Sequence, residues 1–330
     1  MDERLELYHA EIPAFLLPFL DTPELRRLRA VGMNCGCEYT AFPLFRRLKP
    51  YSRYRHSLAA ARIVWDFTGD AAQTLSTLFH DITAPAFAHS VDFLRGDHLR
   101  QEATEAGTEQ LIRGSAAILP LLDRLGIAPD EVVDYHRYPI ADNDAPRLSA
   151  DRIEYTLGNL ENYGFRSRGE LQVYYDALTA AENEEGEIEL SFRDRRTALA
   201  FGQDALRCSR VYVSKEDRYA MQMLAELLAR AIGRGVLTDS DLLSTEPRVI
   251  ALLLQDPSCA ADWKRFRSLR EMVSEESDAP IQDRRVVPAK KRCIDPYVAG
   301  EGRLSLLDPS FAAELDRFRS EPQDRWICGR

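Results

Sequence analysis

The fold and chemistry suggested by this sequence centre on one stretch, Thr77-Leu-Phe-His-Asp-Ile-Thr-Ala-Pro-Ala-Phe-Ala-His89. The apolar run from Ala71 to Phe79 predicts a buried helix, and that run ends on two polar residues, His80 and Asp81. Polar side chains in an apolar wall are costly unless a partner binds them. The stretch therefore predicts a helical protein whose core carries a pair of ligand-binding side chains.

Two further residues complete a predicted metal site. His56 lies in Ser52-Arg-Tyr-Arg-His-Ser-Leu58, and Asp151 stands at the start of another predicted helix. Together with His80 and Asp81 they provide two imidazoles and two carboxylates from three separate helices. This donor set suits one divalent metal ion and leaves positions for water and substrate, but it does not distinguish Mn, Fe, Co, Ni, Zn and Mg.

Composition sets wider limits on the class of protein. The chain has 330 residues, of which 45% are hydrophobic, which is enough for one large core. No run of 18 apolar residues is present, so we expect no membrane span, and the acidic start of the chain lacks a signal-peptide pattern. We therefore expect a cytoplasmic protein. The net charge of −10 argues against broad nucleic-acid binding.

The six cysteines are too sparse for a disulfide scaffold, and none of them forms a CxxC pair. They are Cys35, Cys37, Cys208, Cys259, Cys293 and Cys328. The Cys35-Gly-Cys37 pair could hold a metal, but we expect buried or loop thiols there.

Most of the chain shows helical patterns. They cover approximately residues 24–31, 56–68, 98–125, 193–235, 258–273 and 309–320. A further helix is predicted from Asp130 and carries Tyr135 and His136. The acidic stretch 182–187 predicts a solvated loop, and residues 285–306 predict a small β-hairpin.

The four predicted ligands resemble the H…HD…D signature of the HD-domain phosphohydrolases, and a longer match resembles the dGTPase-like dNTP triphosphohydrolase branch. The matching segments are, in order, 21–29, 42–43, 53–58, 79–81, 87–90, 150–155, 210–215, 290–296 and 303–305. The resemblance implies an all-α HD-domain fold with a small C-terminal β-hairpin. It divides the chain into a catalytic core, residues 1–215, and a helical extension with the hairpin, residues 216–330, within one globular unit.

The resemblance also implies roles for single residues. The metal ligands would be His56, His80, Asp81 and Asp151. Catalysis would involve Asp81, His89 and Asp92, with His98 as a further histidine whose spacing fits less well. Substrate contacts would come from Asn34, Arg53, Arg152, Tyr155, Asn159, Tyr212 and Lys215. The implied reaction is attack of a metal-activated water on phosphorus, which breaks a phosphate ester or anhydride.

The sequence departs from this branch at informative positions. A catalytic histidine of the branch is replaced by Ala84, an outer-phosphate arginine by Asp204, and a sugar-reading aspartate by Asn159. These losses favour a substrate with fewer phosphates, such as a nucleoside monophosphate or another small phosphorylated metabolite. In the absence of the usual histidine, His89 is the first candidate to protonate the leaving oxygen, followed by His98.

Two other functions stay open from the sequence. A dinuclear iron oxygenase could use His56, His80-Asp81, His98, His136 and Asp151 as ligands. A catalytically silent nucleotide sensor would keep the metal and the pocket without turnover, and Ala84 gives this alternative some weight. Members of the resembling branch self-associate, so a homo-oligomer is expected.

Overall fold

The computed structural model describes residues 11–99, 107–273 and 280–330. These residues form a mostly helical protein with one small sheet, as the sequence predicts. The α-helices are α1 Leu17–Leu20, α2 Pro23–Arg27, α3 Arg53–Thr68, α4 Ala71–Phe79, α5 His89–Arg95, α6 Thr108–Gly114, α7 Leu119–Leu125, α8 Ala150–Asn162, α9 Arg168–Asp176, α10 Arg195–Tyr212, α11 Lys215–Gly233, α12 Asp239–Leu242, α13 Glu246–Leu253, α14 Pro257–Ser268, α15 Leu304–Leu307 and α16 Pro309–Ser320. Short 3₁₀ turns lie at Ala14–Leu16, Leu28–Ala30, Cys37–Tyr39, Pro129–Glu131, Tyr135–Arg137 and Ile281–Asp283.

Three helices, α3, α4 and α8, position the predicted metal site. Each begins at a side chain that accepts a backbone N–H of the first turn, namely Ser52, Asp70 and Ser149. Helix α3 packs against both α4 and α8. Because the caps fix where each helix begins, they also fix which face of each helix meets its neighbour.

Three groups of buried apolar side chains hold the helices together. One group, which includes Phe201, joins α8, α10 and α16 to the sheet. A second group, which includes Leu224, surrounds α11 with α5 and α14. The third, which includes Phe79, packs α4 against α1 and α2. The three metal-site helices therefore lie between extensive apolar contacts, which restrict their movement.

The sheet contains four strands in the order β1-β2-β3-β4. They are β1 Leu178–Glu182, β2 Ile188–Phe192, β3 Tyr297–Val298 and β4 Gly302–Arg303. The predicted C-terminal hairpin is present as β3 and β4, over fewer residues than 285–306. It adds in parallel to β2 at the pair Phe192 and Val298. The acidic stretch 182–187 is the turn of a β1–β2 hairpin, which the sequence analysis did not predict.

The predicted helix from Asp130 is wrong. Only the 3₁₀ turns Pro129–Glu131 and Tyr135–Arg137 form there, because the prolines at 129 and 139 leave too few residues to nucleate a stable helix. The helical pattern over 98–125 gives α6 and α7, separated at Ser115, while residues 100–106 lie outside the described residues.

The predicted division of the chain at residue 215 stays a prediction. Helix α11, which begins at that residue, packs against α5 from the first part of the chain and against α14 from the second. Within the described ranges, no helix combines the length and apolar composition needed to cross a bilayer.

Candidate metal centre

The four predicted metal ligands meet where three helices converge. His56 lies in the first turn of α3, His80 directly follows α4, and Asp151 lies in the first turn of α8. His56, His80 and Asp151 offer ligand atoms that all lie within 4.8 Å of one another. Asp81, next to His80 in the chain, borders the same space.

The distances between these ligand atoms are those of a compact cluster. His56 Nε2 lies 3.1 Å from His80 Nε2 and 2.9 Å from Asp151 Oδ1, and His80 Nε2 lies 3.6 Å from Asp151 Oδ1. Asp81 Oδ2 is 3.5 Å from His80 Nε2 and 3.9 Å from His56 Nε2. Two imidazole nitrogens and two carboxylate oxygens thus converge on one small volume.

Each imidazole is oriented by a contact behind it. His56 Nδ1 lies 2.5 Å from Glu154 Oε2, which also accepts the Tyr51 hydroxyl. His80 Nδ1 lies 2.6 Å from the carbonyl oxygen of Thr77. Because both acceptors favour a proton on Nδ1, the Nε2 lone pairs face the shared centre, as metal-binding histidines require.

Asp81 provides the test of whether the cluster fits a metal ion. Its Oδ1 accepts a hydrogen bond from Arg53, whereas its Oδ2 is buried and has no hydrogen-bond partner among the described residues. A buried carboxylate oxygen without a partner is costly, and a bound cation would remove that cost. The donor set and this oxygen therefore fit a divalent metal ion.

The electrostatics of the cluster favour its charged forms. Burial alone would lower the pKa of His56, but Glu154 and Asp151 raise that pKa to about 10. Burial alone would raise the pKa of Asp81, yet Arg53 and the two imidazoles hold it well below its usual range, and His56 does the same for the pKa of Asp151. The carboxylates that raise the pKa of His56 would also attract a divalent cation, whose binding requires an unprotonated Nε2.

A cavity of about 430 Å³ opens beside the cluster. Of the predicted site residues, its lining includes the metal ligands together with Asn34, Arg53, His89, Arg152, Tyr155, Asn159 and Tyr212. Its size falls within the range of small-molecule sites. The structure therefore brings most of the predicted site residues to one cavity, although their roles in binding and catalysis stay predictions.

His89 borders this cavity, with Asp92 behind it. His89 Nδ1 lies 2.8 Å from Asp92 Oδ2, and Asp92 is fully buried. Burial lowers the pKa of His89, and the neighbouring positive charge of Arg292 adds to that effect. Near neutral pH the ring is therefore uncharged, with Nδ1–H donated to Asp92 and the Nε2 lone pair available.

Three predicted residues lie outside the cavity lining. Asp92 contacts His89 but is not part of the lining, and Lys215, the first residue of α11, is not part of it either. His98 stacks its ring on Phe93, with ring centres 4.6 Å apart. Of the histidines that the dinuclear alternative adds, His136 lines the cavity and His98 does not.

One cavity wall is built by α8 and the end of α10. Tyr155 and Tyr212 contact edge to face with ring centres 6.2 Å apart, and Asn159 Nδ2 donates to the Tyr212 hydroxyl at 2.8 Å. Asn159 Oδ1 is buried and has no partner within the described parts of the chain. This wall therefore offers aromatic surface to a ligand and contains a buried amide oxygen that no described residue satisfies.

Two of the three positions that depart from the resembling branch lie away from the cavity or have a partner of their own. Ala84 is fully buried and is not part of the cavity lining. Asp204 forms an ion pair with Arg166 and accepts a hydrogen bond from Tyr174 at 2.7 Å, so it has a structural partner instead of a phosphate.

The sequence analysis missed several residues of the site. Glu154 orients His56. It follows Asp151 by three residues on the same helix, so the two side chains share one helix face, and this spacing could have indicated its role. Asp142, Asp217, Lys290 and Arg292 also line the cavity. The basic run at 290–292 in an acidic chain was a visible signal. All six cysteines are free thiols, and Cys35 lines the cavity.

Comparison with known proteins gives distant relatives, and no family model matches the chain. The chain is 25% identical over 203 residues to the uncharacterized protein YdhJ of Bacillus subtilis, and the match covers 61% of each protein. It thus spans about three fifths of that relative's length. It is 21% identical over 336 aligned residues to the metal-dependent phosphohydrolase cns2 of Cordyceps militaris, a match that covers 96% of this chain and 91% of the relative.

Proposed function

We propose that this protein is a metal-dependent phosphohydrolase that acts on a small phosphorylated metabolite, with a nucleoside monophosphate as the favoured class. The observation that carries this proposal is the cluster of His56, His80 and Asp151, with Asp81 beside it, at the wall of a ligand-sized cavity. A distant relative named as a metal-dependent phosphohydrolase, aligned over 96% of the chain, supports phosphohydrolase activity in general.

In this proposal the four clustered side chains hold one divalent metal ion. When bound, the ion supplies Lewis acidity to a phosphoryl oxygen and lowers the pKa of a coordinated water. Arg53 fixes the orientation of Asp81 through its Nη1, while its buried Nε has no partner in the described part of the chain. Arg53 thus keeps Asp81 ionised, and its guanidinium brings a positive charge to the cavity lining.

His89 is the group that moves a proton. Its lowered pKa leaves Nε2 unprotonated near neutral pH, and Asp92 holds the ring through Nδ1. Nε2 accepts a proton as water attacks phosphorus and returns it to the oxygen that leaves. His89 is therefore neutral before the reaction and becomes protonated as water attacks. In that protonated form it acts as the general acid.

The organic part of the substrate would lie against Tyr155 and Tyr212. Asn159 Oδ1, a buried acceptor, would accept a hydrogen bond from a substrate hydroxyl such as that of a sugar. A substrate that lacks this donor would leave the amide oxygen unsatisfied, which disfavours its binding.

Turnover of a phosphate-ester panel tests the proposal. The purified protein would be loaded separately with Mn, Fe, Co, Ni, Zn or Mg and assayed for phosphate release from nucleoside mono-, di- and triphosphates and sugar phosphates. We expect release with at least one substrate and metal, and its abolition together with metal loss in His80→Ala and Asp151→Ala. Retained metal and turnover in either variant would contradict the site.

The matched control for this test is His136→Ala. His136 lines the cavity but lies half-exposed, and it would be a ligand only in the dinuclear alternative. We expect one metal per chain and unchanged turnover in this variant. Two irons per chain, one of them lost in His136→Ala, would support the oxygenase. Thermal stabilisation by a nucleotide without any phosphate release would support the sensor.

A further inference from the structure

A segment near the C-terminus, residues 287–292, forms part of the cavity wall, and we name it the strap. It is held in place by contacts with distant parts of the chain. Arg218 Nη1 donates to the carbonyl oxygen of Val287 at 2.6 Å, and the backbone N–H of Ala289 donates to Gln323 Oε1 at 2.6 Å. These contacts make the strap a fixed part of the wall.

The three basic side chains of the strap point in alternating directions. Lys290 and Arg292 line the cavity. Lys291, between the two basic residues, is turned away, and its Nζ donates to the carbonyl oxygens of Arg319, at 2.8 Å, and Glu321. Opposite directions for neighbouring side chains are those of an extended backbone. Two of the three positive charges in this run therefore face the cavity.

Arg292 reaches the residue that the proposed reaction uses for proton transfer. Its Nη2 lies 3.5 Å from His89 Nε2. The guanidinium thus places a positive charge beside the nitrogen that the proposed reaction uses for proton transfer, where the oxygens of a phosphoryl group can accept from it. Arg292 therefore contacts His89 inside the cavity through its positively charged guanidinium group.

The other two arginines of the cavity each contact a carboxylate. Arg53 contacts Asp81, and Arg152 Nη1 lies 3.2 Å from Asp142 Oδ1. A phosphate monoester carries up to two negative charges, and guanidinium and ammonium groups bind its oxygens through charge-assisted hydrogen bonds. Arg292 brings such a group to the side of the cavity that His89 borders, and Lys290 lines the same cavity.

We propose that the strap is the phosphate clamp of this protein: Arg292, with Lys290 beside it, binds the non-bridging oxygens of the substrate's phosphoryl group. This inference rests on the proposed function, because it assumes that the ligand is a phosphate ester. It assigns phosphate binding to two residues of the segment 290–296, to which the resemblance gave no role.

Inorganic phosphate is the probe for this inference. Its affinity for the Mn²⁺-loaded full chain would be measured by calorimetry for the wild type, Arg292→Gln, Arg292→Lys and Lys291→Gln. We expect about 10- to 100-fold weaker binding in Arg292→Gln, as loss of a charge-assisted, bidentate contact implies, and partial recovery in Arg292→Lys. Lys291→Gln removes the same charge from the outward face and should bind phosphate like the wild type.

Equal phosphate affinity in Arg292→Gln and Lys291→Gln, with metal content and thermal stability unchanged, would overturn the clamp. The measurement is separable from the test of the hydrolase. If no ester is hydrolysed but phosphate binding still requires Arg292, the clamp stands and the proposed function fails. If hydrolysis proceeds with unaltered KM in Arg292→Gln, the proposed function stands and the clamp fails.

Discussion

Glu154 orients one residue of the candidate metal site without being one of the four predicted ligands. The carboxylate is buried, and one of its oxygens contacts both the Tyr51 hydroxyl and His56 Nδ1. A carboxylate in this position keeps the proton on Nδ1 and makes Nε2 a better ligand. A single residue behind the centre therefore determines which nitrogen of His56 faces the cluster.

Replacing that carboxylate should weaken metal binding. In Glu154→Gln the amide removes the negative charge behind His56, and we expect about 10- to 100-fold lower affinity for Mn²⁺ in competition with a chelator. Glu161→Gln is the control, because Glu161 lies on the same helix and contacts Arg168 at 3.1 Å instead of a histidine. Similar Mn²⁺ affinities in the two variants would show that Glu154 does not support metal binding.

At the scale of elements, the contact between α8 and the chain before α3 depends on a glycine. A Cβ atom at Gly158 would lie 2.6 Å from the Tyr51 hydroxyl oxygen. Tyr51 could make room only by moving away from Glu154, which would disturb the support of His56. The absence of a side chain at position 158 is therefore linked to the geometry of the metal centre.

Gly158→Ala should consequently affect both stability and metal binding. We expect a loss of about 1–3 kcal/mol in the free energy of unfolding, as for overpacking, together with weaker Mn²⁺ binding. Gly169→Ala in α9 is the matched control, because its Cβ meets nothing within 4 Å. That variant should keep metal affinity and gain about 0.4–1 kcal/mol. Chemical unfolding and chelator competition would measure both effects.

The helices were largely predictable from the sequence, whereas the less regular elements were not. Apolar periodicity and capping residues such as Ser52 marked the metal-site helices, because both are local signals. The β1–β2 hairpin was missed because its first strand, Leu-Thr-Ala-Ala-Glu, contains few residues that favour strands. The strap was missed as part of the site because its inward direction depends on contacts with Arg218 and Gln323, which are distant in sequence.

At the scale of the whole molecule, a buried carboxyl group, Glu246, and a half-buried one, Glu38, lie where the N-terminal region meets α13. Glu246 accepts the Gly32 backbone N–H and the Tyr39 hydroxyl, each at 2.8 Å, and the Glu38 carboxyl lies against the same glycine. Burial and then repulsion from Glu246 raise the pKa of Glu38 to about 8. Burial also raises the pKa of Asp217 to about 8. Glu38 and Asp217 are therefore mostly protonated in the native protein at neutral pH.

These raised pKa values predict how stability depends on pH. The native state keeps protons that the unfolded chain releases near its ordinary carboxyl pKa, so stability falls as pH rises from about 4.5 to about 8. Glu38→Gln, which cannot ionise, should flatten this dependence, since each unit of raised pKa corresponds to about 1.4 kcal/mol. Urea unfolding of metal-free protein near pH 5.5 and pH 8.5 would measure it. If the free energy of unfolding falls equally in the wild type and the variant between these pH values, Glu38 is not a source of the pH dependence.

The wide separation of the cavity residues along the chain has a consequence during biosynthesis. His56, His80 and Asp151 are translated well before Arg292, whose placement depends on the C-terminal part of the chain. Helix α8, which carries Asp151, belongs to the same apolar group as α16, so the candidate metal site also depends on the last part of the chain to be made. Both sides of the cavity are therefore expected to reach their final form only when synthesis is nearly complete.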